Sequence, residues 1–149
     1  MDFQVISELS GVEPTCIEVK GEQIVSRITG ERMSRISEHN TFEYHLPESH
    51  GKIVQRQYNK LMRTIKNSKQ LGEYCKSHGI KIYVQVVIEG ITDTYSFPDI
   101  GMDKKFISFL SDLNATVDFD IYTEPWDKEG DDYKQPAIVL PSGECLYKI

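Results

Sequence analysis

From Ile82 to Ile88 every second residue is a branched aliphatic: Ile82, Val84, Val86 and Ile88. Lys81, Tyr83, Gln85, Val87 and Glu89 take the positions between and around them. A period of two puts one set on each face of a β-strand, so Ile80 to Glu89 reads as a strand with one face in a core. The rest of the fold must cover that aliphatic face, and the flanking sequence supplies helices to do so. Lys52 to Ile65 sets Val54, Tyr58, Leu61, Met62 and Ile65 on one helical stripe. Lys69 to His78 carries Leu71, Tyr74 and Cys75 and is followed by Gly79, a good residue just past a helix end. Asp103 to Leu113 buries Phe106, Ile107, Phe109, Leu110 and Leu113, with Asp103 suited to the positive end of the helix dipole.

Two further strands flank these helices. Thr41 to Leu46 alternates, with Phe42, Tyr44 and Leu46 on one side and Thr41, Glu43 and His45 on the other. Thr116 to Thr123 points Val117, Phe119 and Ile121 inward and Asp118, Asp120 and Tyr122 outward. Thr94 to Phe97 is a short candidate strand before Pro98. The order strand, helix, strand, short strand, helix, strand is that of a split βαβ unit. The expected class is α+β: an antiparallel sheet with helices on one face and a ferredoxin-like core over about 41–123. Ahead of it, Asp2 to Leu9 reads as a short helix ended by Gly11. Residues 17 to 28 read as short strands or an extended arm, and Gly30 to Ser37 as a flexible loop. Behind it, Glu124 to Gln135 reads as an acidic loop. Ala137 to Tyr147 reads as a terminal hairpin around Pro141-Ser142-Gly143.

With 149 residues the chain suits a single domain, 1–149. Its 39% hydrophobic content excludes a disordered chain. No apolar run approaches the ~18 residues of a membrane span. Cys16, Cys75 and Cys145 are odd in number and far apart, which argues against a disulfide framework or a zinc site. No basic then apolar leader follows Met1, so a reduced, cytoplasmic protein is expected. The formal net charge is -6, unevenly spread: residues 1–51 carry net -5, residues 52–82 net +7 and residues 83–149 net -8. Such a layout gives a dipolar molecule or internal charge pairing.

Gly11-Val12-Glu13-Pro14-Thr15 followed by Lys20-Gly21-Glu22 resembles the opening of the domain-of-unknown-function 4279 family, small and mostly bacterial proteins. Thr41-Phe42-Glu43-Tyr44 stands where that family has an aromatic strand. The helix ending at His78-Gly79, the strand Ile82 to Ile88, the helix Lys105 to Leu113 and Asp118-Phe119-Asp120-Ile121-Tyr122 follow its order. The resemblance spans roughly Ile6 to Tyr122. It departs from the family in lacking a strand before the first helix and in its tail after Tyr122. A terminal strand from Ala137 to Ile149 is a conjectural replacement for that missing strand. The resemblance implies a fold and no catalytic residues.

Asp118 and Asp120 lie two apart on one strand face, with Glu124 beyond Tyr122. Such a row suits a cation or acid/base work, or simply a solvated face that discourages edge pairing. Asp127, Glu129, Asp131 and Asp132 lack the alternation and closing Glu of a calcium loop. Trp126, the single tryptophan, is either folded back or a binding anchor. His39, His45 and His50 interleave with Glu38, Glu43 and Glu48 without a metal motif. Lys52, Arg56, Lys60 and Arg63, extended by Lys66, line one helical stripe that could face phosphates. The acidic chain and the lack of interleaved aromatics speak against nucleic acid. No nucleophile elbow, P-loop or dinucleotide fingerprint occurs.

No catalytic residue, cofactor or metal site is assigned from the sequence. The expected function is non-catalytic binding of a protein with a basic surface, specifically as an immunity protein neutralising a basic toxin domain. The expected contact set is Asp118, Asp120, Tyr122, Glu124, Trp126, Asp127, Asp131 and Asp132. The alternative is a small-molecule or metal-binding protein, or an enzyme, using the polar sheet face. No membrane partner is expected.

Overall fold

The computed structural model describes residues 1–26, 29–47, 54–91, 99–123 and 144–148. Four helices and seven strands follow one another as α1 (Phe3–Ser10), β1 (Cys16–Glu18), β2 (Gln23–Val25), β3 (Arg32–Ile36), β4 (Thr41–His45), α2 (Val54–Thr64), α3 (Ser68–Ser77), β5 (Lys81–Ile91), α4 (Lys104–Leu113), β6 (Ala115–Thr123) and β7 (Glu144–Lys148). The chain is thus a mixed α+β protein. Helix ends follow local chemistry. The Asp2 carboxylate accepts the Gln4 and Val5 N–H groups at the start of α1, and Gly11 closes that helix in the left-handed region at φ 72°. Asp103 accepts the Phe106 N–H at 2.8 Å to start α4, and Asn114 ends it at φ 52°.

Strands β1, β4, β7, β5 and β6 form one sheet in that order, and β2 pairs with β3 in a separate two-stranded arm. The β1–β4 and β2–β3 ladders are antiparallel. The β4–β7, β7–β5 and β5–β6 ladders are parallel. This corrects the expected ferredoxin-like order, in which β5 and β6 would not be direct parallel neighbours. The physical reason is the connection: α4 joins β5 to β6, and a helical crossover of this kind permits parallel pairing. The element order along the chain is the same for both arrangements, so it could not separate them.

Two other expectations change. Residues Arg32–Ile36, read as part of a flexible loop, form β3 opposite β2, with Gln23 facing Ile36 and Val25 facing Arg32. The terminal strand Glu144–Lys148 is not one arm of a hairpin within the sheet. It lies between β4 and β5, with Cys145 opposite Phe42 on one side and Ile82 on the other. The proposed strand at 94–97, the acidic loop 124–135 and the hairpin's first arm 137–140 lie outside the described residues.

The core fills one side of the sheet. Phe42, Ile82, Val84 and Val86 from the strands meet Ile6 of α1, Tyr58 and Leu61 of α2, Leu71 and Cys75 of α3, and Phe106 and Leu113 of α4. Tyr58 stacks on Phe106 with ring centroids 4.1 Å apart, and its hydroxyl donates to the Ile100 carbonyl at 3.2 Å. The stripes expected on the helices therefore do face the aliphatic side of β5. Ile107 is the exception, since it is exposed.

Candidate functional site

The register assembles the opposite, polar face of the sheet row by row. Cys16, Glu43, Leu146, Tyr83 and Thr116 share one row across the five strands. His45, Lys148, Gln85 and Asp118 share the next same-facing row, and Val87 and Asp120 the one after. Because strand residues alternate faces, Glu43, His45, Gln85, Asp118 and Asp120 all belong to this side.

Burial is uneven across that face. Thr41, Glu43 and His45 were placed on an outward side by alternation alone, yet Glu43 keeps only 5% of its surface and Thr41 is buried. β4 is an inner strand, flanked by β1 and β7. Glu43 lies 3.0 Å from His45, Oε2 to Nε2. Thr15 fixes this corner, because its N–H donates to the Glu43 carbonyl at 2.7 Å and its hydroxyl accepts the His45 N–H at 3.0 Å. The Gly11-Val12-Glu13-Pro14-Thr15 stretch thus ends α1, buries Val12 and staples β1 to β4.

Gln85 is 1% exposed at the centre of the same face. Its amide Nε2 donates to Oδ2 of Asp120, while its Oε1 is buried with no hydrogen-bond partner among the described residues. A buried acceptor left without a donor costs about 1–3 kcal/mol, so this side of β5 carries an unanswered polar group. Periodicity put Gln85 on the polar face but gave no sign that it would be buried.

The acidic edge is β6, the last strand in the sheet order. Asp118 is exposed on it, and Asp120 and Tyr122 are half-buried. These three are the members of the expected contact set that the structure describes. Glu124, Trp126, Asp127, Asp131 and Asp132 lie outside the described residues.

The other candidates resolve as follows. His39 Nε2 lies 3.8 Å from Glu38 Oε2, and His50 is outside the described residues. Among the described residues no three His, Cys, Asp or Glu side chains converge as a metal group. Cys75 is buried on the core side of α3, and desolvation pushes its thiol up to about 11. A thiol held neutral in this way is a packing group rather than a nucleophile. Arg56, Lys60, Arg63 and Lys66 are all exposed, and Lys52 is outside the described residues. Among the described residues no helix is long and apolar enough to cross a membrane.

A family model described as domain of unknown function (DUF4279) matches residues 1–124, and the chain belongs to that family. The match stops short of β7, so that strand comes from outside the family region. No curated protein and no solved structure matches the chain.

Proposed function

We propose that this family member is a cytoplasmic, non-catalytic protein-binding module whose acidic sheet edge receives a basic protein. The specific form is an immunity protein that neutralises a basic toxin domain. The observation that carries the reading is the placement of Asp118, Asp120 and Tyr122 together on β6, one of the two outer strands of the five-stranded sheet among the described residues. Like charges gathered on an accessible edge raise the rate of encounter with an opposite surface and repel wrong partners. A tyrosine among them offers an apolar body with a polar tip, the usual make-up of an interface anchor. The sequence continues the same character through Glu124, Trp126, Asp127, Asp131 and Asp132.

Co-expression with the product of the neighbouring gene tests this reading. The chain is expected to restore growth of cells that produce that protein, and the Asp118→Lys/Asp120→Lys variant to fail. Equal protection by the variant, or none by the native chain, refutes the immunity role.

A second reading is favoured by the orphaned Gln85 Oε1 beside Asp120, which suits a small donor-bearing ligand on the polar face. A ligand held there at about 100 times its Kd adds roughly 2.7 kcal/mol of stability. Thermal melting against divalent cations and a metabolite panel tests it. A raised Tm that disappears in Asp120→Ala supports this reading, and flat melting across the panel removes it.

A further inference from the structure

Two surfaces of the chain are unfinished in complementary ways. The first is the arm formed by β2 and β3, which is not hydrogen-bonded into the main sheet. All five residues of β3 are exposed. Met33 and Ile36 keep 46% and 55% of their surface, and Val25 of β2 keeps 52%. The charges of β3 are Arg32 and Arg35. Glu31, just ahead of them, is the one acid among the arm's described residues. This is a basic strand with bare apolar side chains, a composition that gains from being covered.

The second surface is an open groove of about 550 Å³ running along α1, with Phe3, Glu8, Gly11, Glu13, Pro14 and Ile17 in its lining. Phe3 and Pro14 are half-buried there, and Ile17 keeps 44% of its surface. Its charged lining residues are Glu8 and Glu13, both exposed. The C-terminal end of α1 adds to this negative field, since its last turn holds no basic residue. Lys66 lays its aliphatic stem against Gly11 and offsets part of the charge. The groove thus combines apolar Phe3, Pro14 and Ile17 with polar Gln4 and Ser7 and acidic Glu8 and Glu13, a charge opposite to that of the arm. Four of the eight exposed large hydrophobic residues of the described chain, Ile17, Val25, Met33 and Ile36, lie on these two surfaces. The arm does not cover the groove of its own chain, because both stay open in the single molecule.

We propose that the occupant of the groove is the β2–β3 arm of a second copy of this chain. One face of β3 presents Arg32 with Ile36 and the other Arg35 with Met33, so whichever face docks sets an arginine of one copy toward Glu8 and Glu13 of the other and an apolar side chain against Phe3, Pro14 and Ile17. One arm–groove contact leaves an arm and a groove unused, which favours closure about a twofold axis with both arms exchanged. Closure also doubles the buried area toward the roughly 1,200–2,000 Å² of a stable interface. The surface is distinct from the β6 edge, so the dimer and the proposed basic partner do not compete for residues.

Sedimentation of the full chain tests the proposal. The 17.1 kDa monomer is expected to give way to a species of twice that mass as concentration rises, and high salt to reverse it. Arg32→Glu/Arg35→Glu and Glu8→Lys/Glu13→Lys are each expected to stay monomeric with unchanged circular dichroism. Mixed in equal amounts, they regain opposite charges at both contacts and are expected to form the dimer again. A native chain that remains monomeric at all soluble concentrations overturns the proposal. So does a dimer that persists in either variant, or a mixture that fails to associate.

Discussion

Gly72 lies in the middle of α3, buried where that helix meets the end of α4. A Cβ at this position would stand 2.1 Å from the Asp112 carbonyl oxygen and 2.8 and 2.9 Å from the backbone carbon and Cα of Leu113. All three are main-chain atoms of the neighbouring helix, so no side-chain rotation relieves the contact. Gly72→Ala sets two effects against each other. Alanine favours the helix over glycine by roughly 1 kcal/mol. Overpacking a close contact costs about 1–3 kcal/mol, and the upper end applies because α3 and α4 must part and loosen Leu71, Cys75 and Leu113. The balance is a loss of about 2 kcal/mol, or roughly 4–8 °C in Tm for a chain of this length. Gly79→Ala is the matched control: its φ of +67° is unfavourable for alanine, but the added Cβ would meet nothing within 4 Å. That variant is expected to lose only about 1 kcal/mol. Urea and thermal melts followed by circular dichroism decide the matter. A Gly72→Ala protein as stable as the native chain would refute the close helix–helix approach.

Further outcomes follow from the same packing. Asp103→Ala removes the acceptor for the Phe106 N–H and is expected to lower stability by about 1 kcal/mol in a urea melt. Tyr58→Phe keeps the ring stack but loses the hydrogen bond to the Ile100 carbonyl, for a loss of roughly 0.5–1.5 kcal/mol. Burial raises the Cys75 thiol to about 11, so the folded chain keeps this proton after the unfolded chain has released its own. The contribution is therefore intact below the ordinary thiol range near ~8.5 and falls as pH rises toward about 11. The native chain should lose stability across that interval more steeply than Cys75→Ala, and its Cys75 should resist alkylation near neutral pH until urea unfolds it.

Local elements were legible because burial leaves a local imprint. The aliphatic alternation of Ile82 to Ile88 marked β5, and the stripe Phe106, Phe109, Leu110, Leu113 marked α4, both within a residue or two of their ends. Arg32–Ile36 was not legible: an exposed strand has no apolar alternation to display, and only its pairing with β2 reveals it. Strand order was hidden for a different reason. Whether β5 and β6 pair in parallel depends on how α4 crosses, and the insertion of β7 between β4 and β5 joins residues about a hundred positions apart in the chain. Glu43 and Gln85 are buried, whereas alternation marked them only as facing away from the core. Of the contact set, Asp118, Asp120 and Tyr122 were legible as one face of a strand. That this strand is the sheet's edge emerged only from the pairing.

The most direct test of the central claim is a calorimetric titration of the chain with the product of the neighbouring gene, at low and at raised salt. The account predicts saturable binding that weakens as salt increases. It also predicts that Asp118→Lys, at the exposed acid of this strand, weakens this binding severalfold while leaving the Tm in place. Binding of equal strength in the reversed variant, or no heat at any concentration of the native chain, would contradict it.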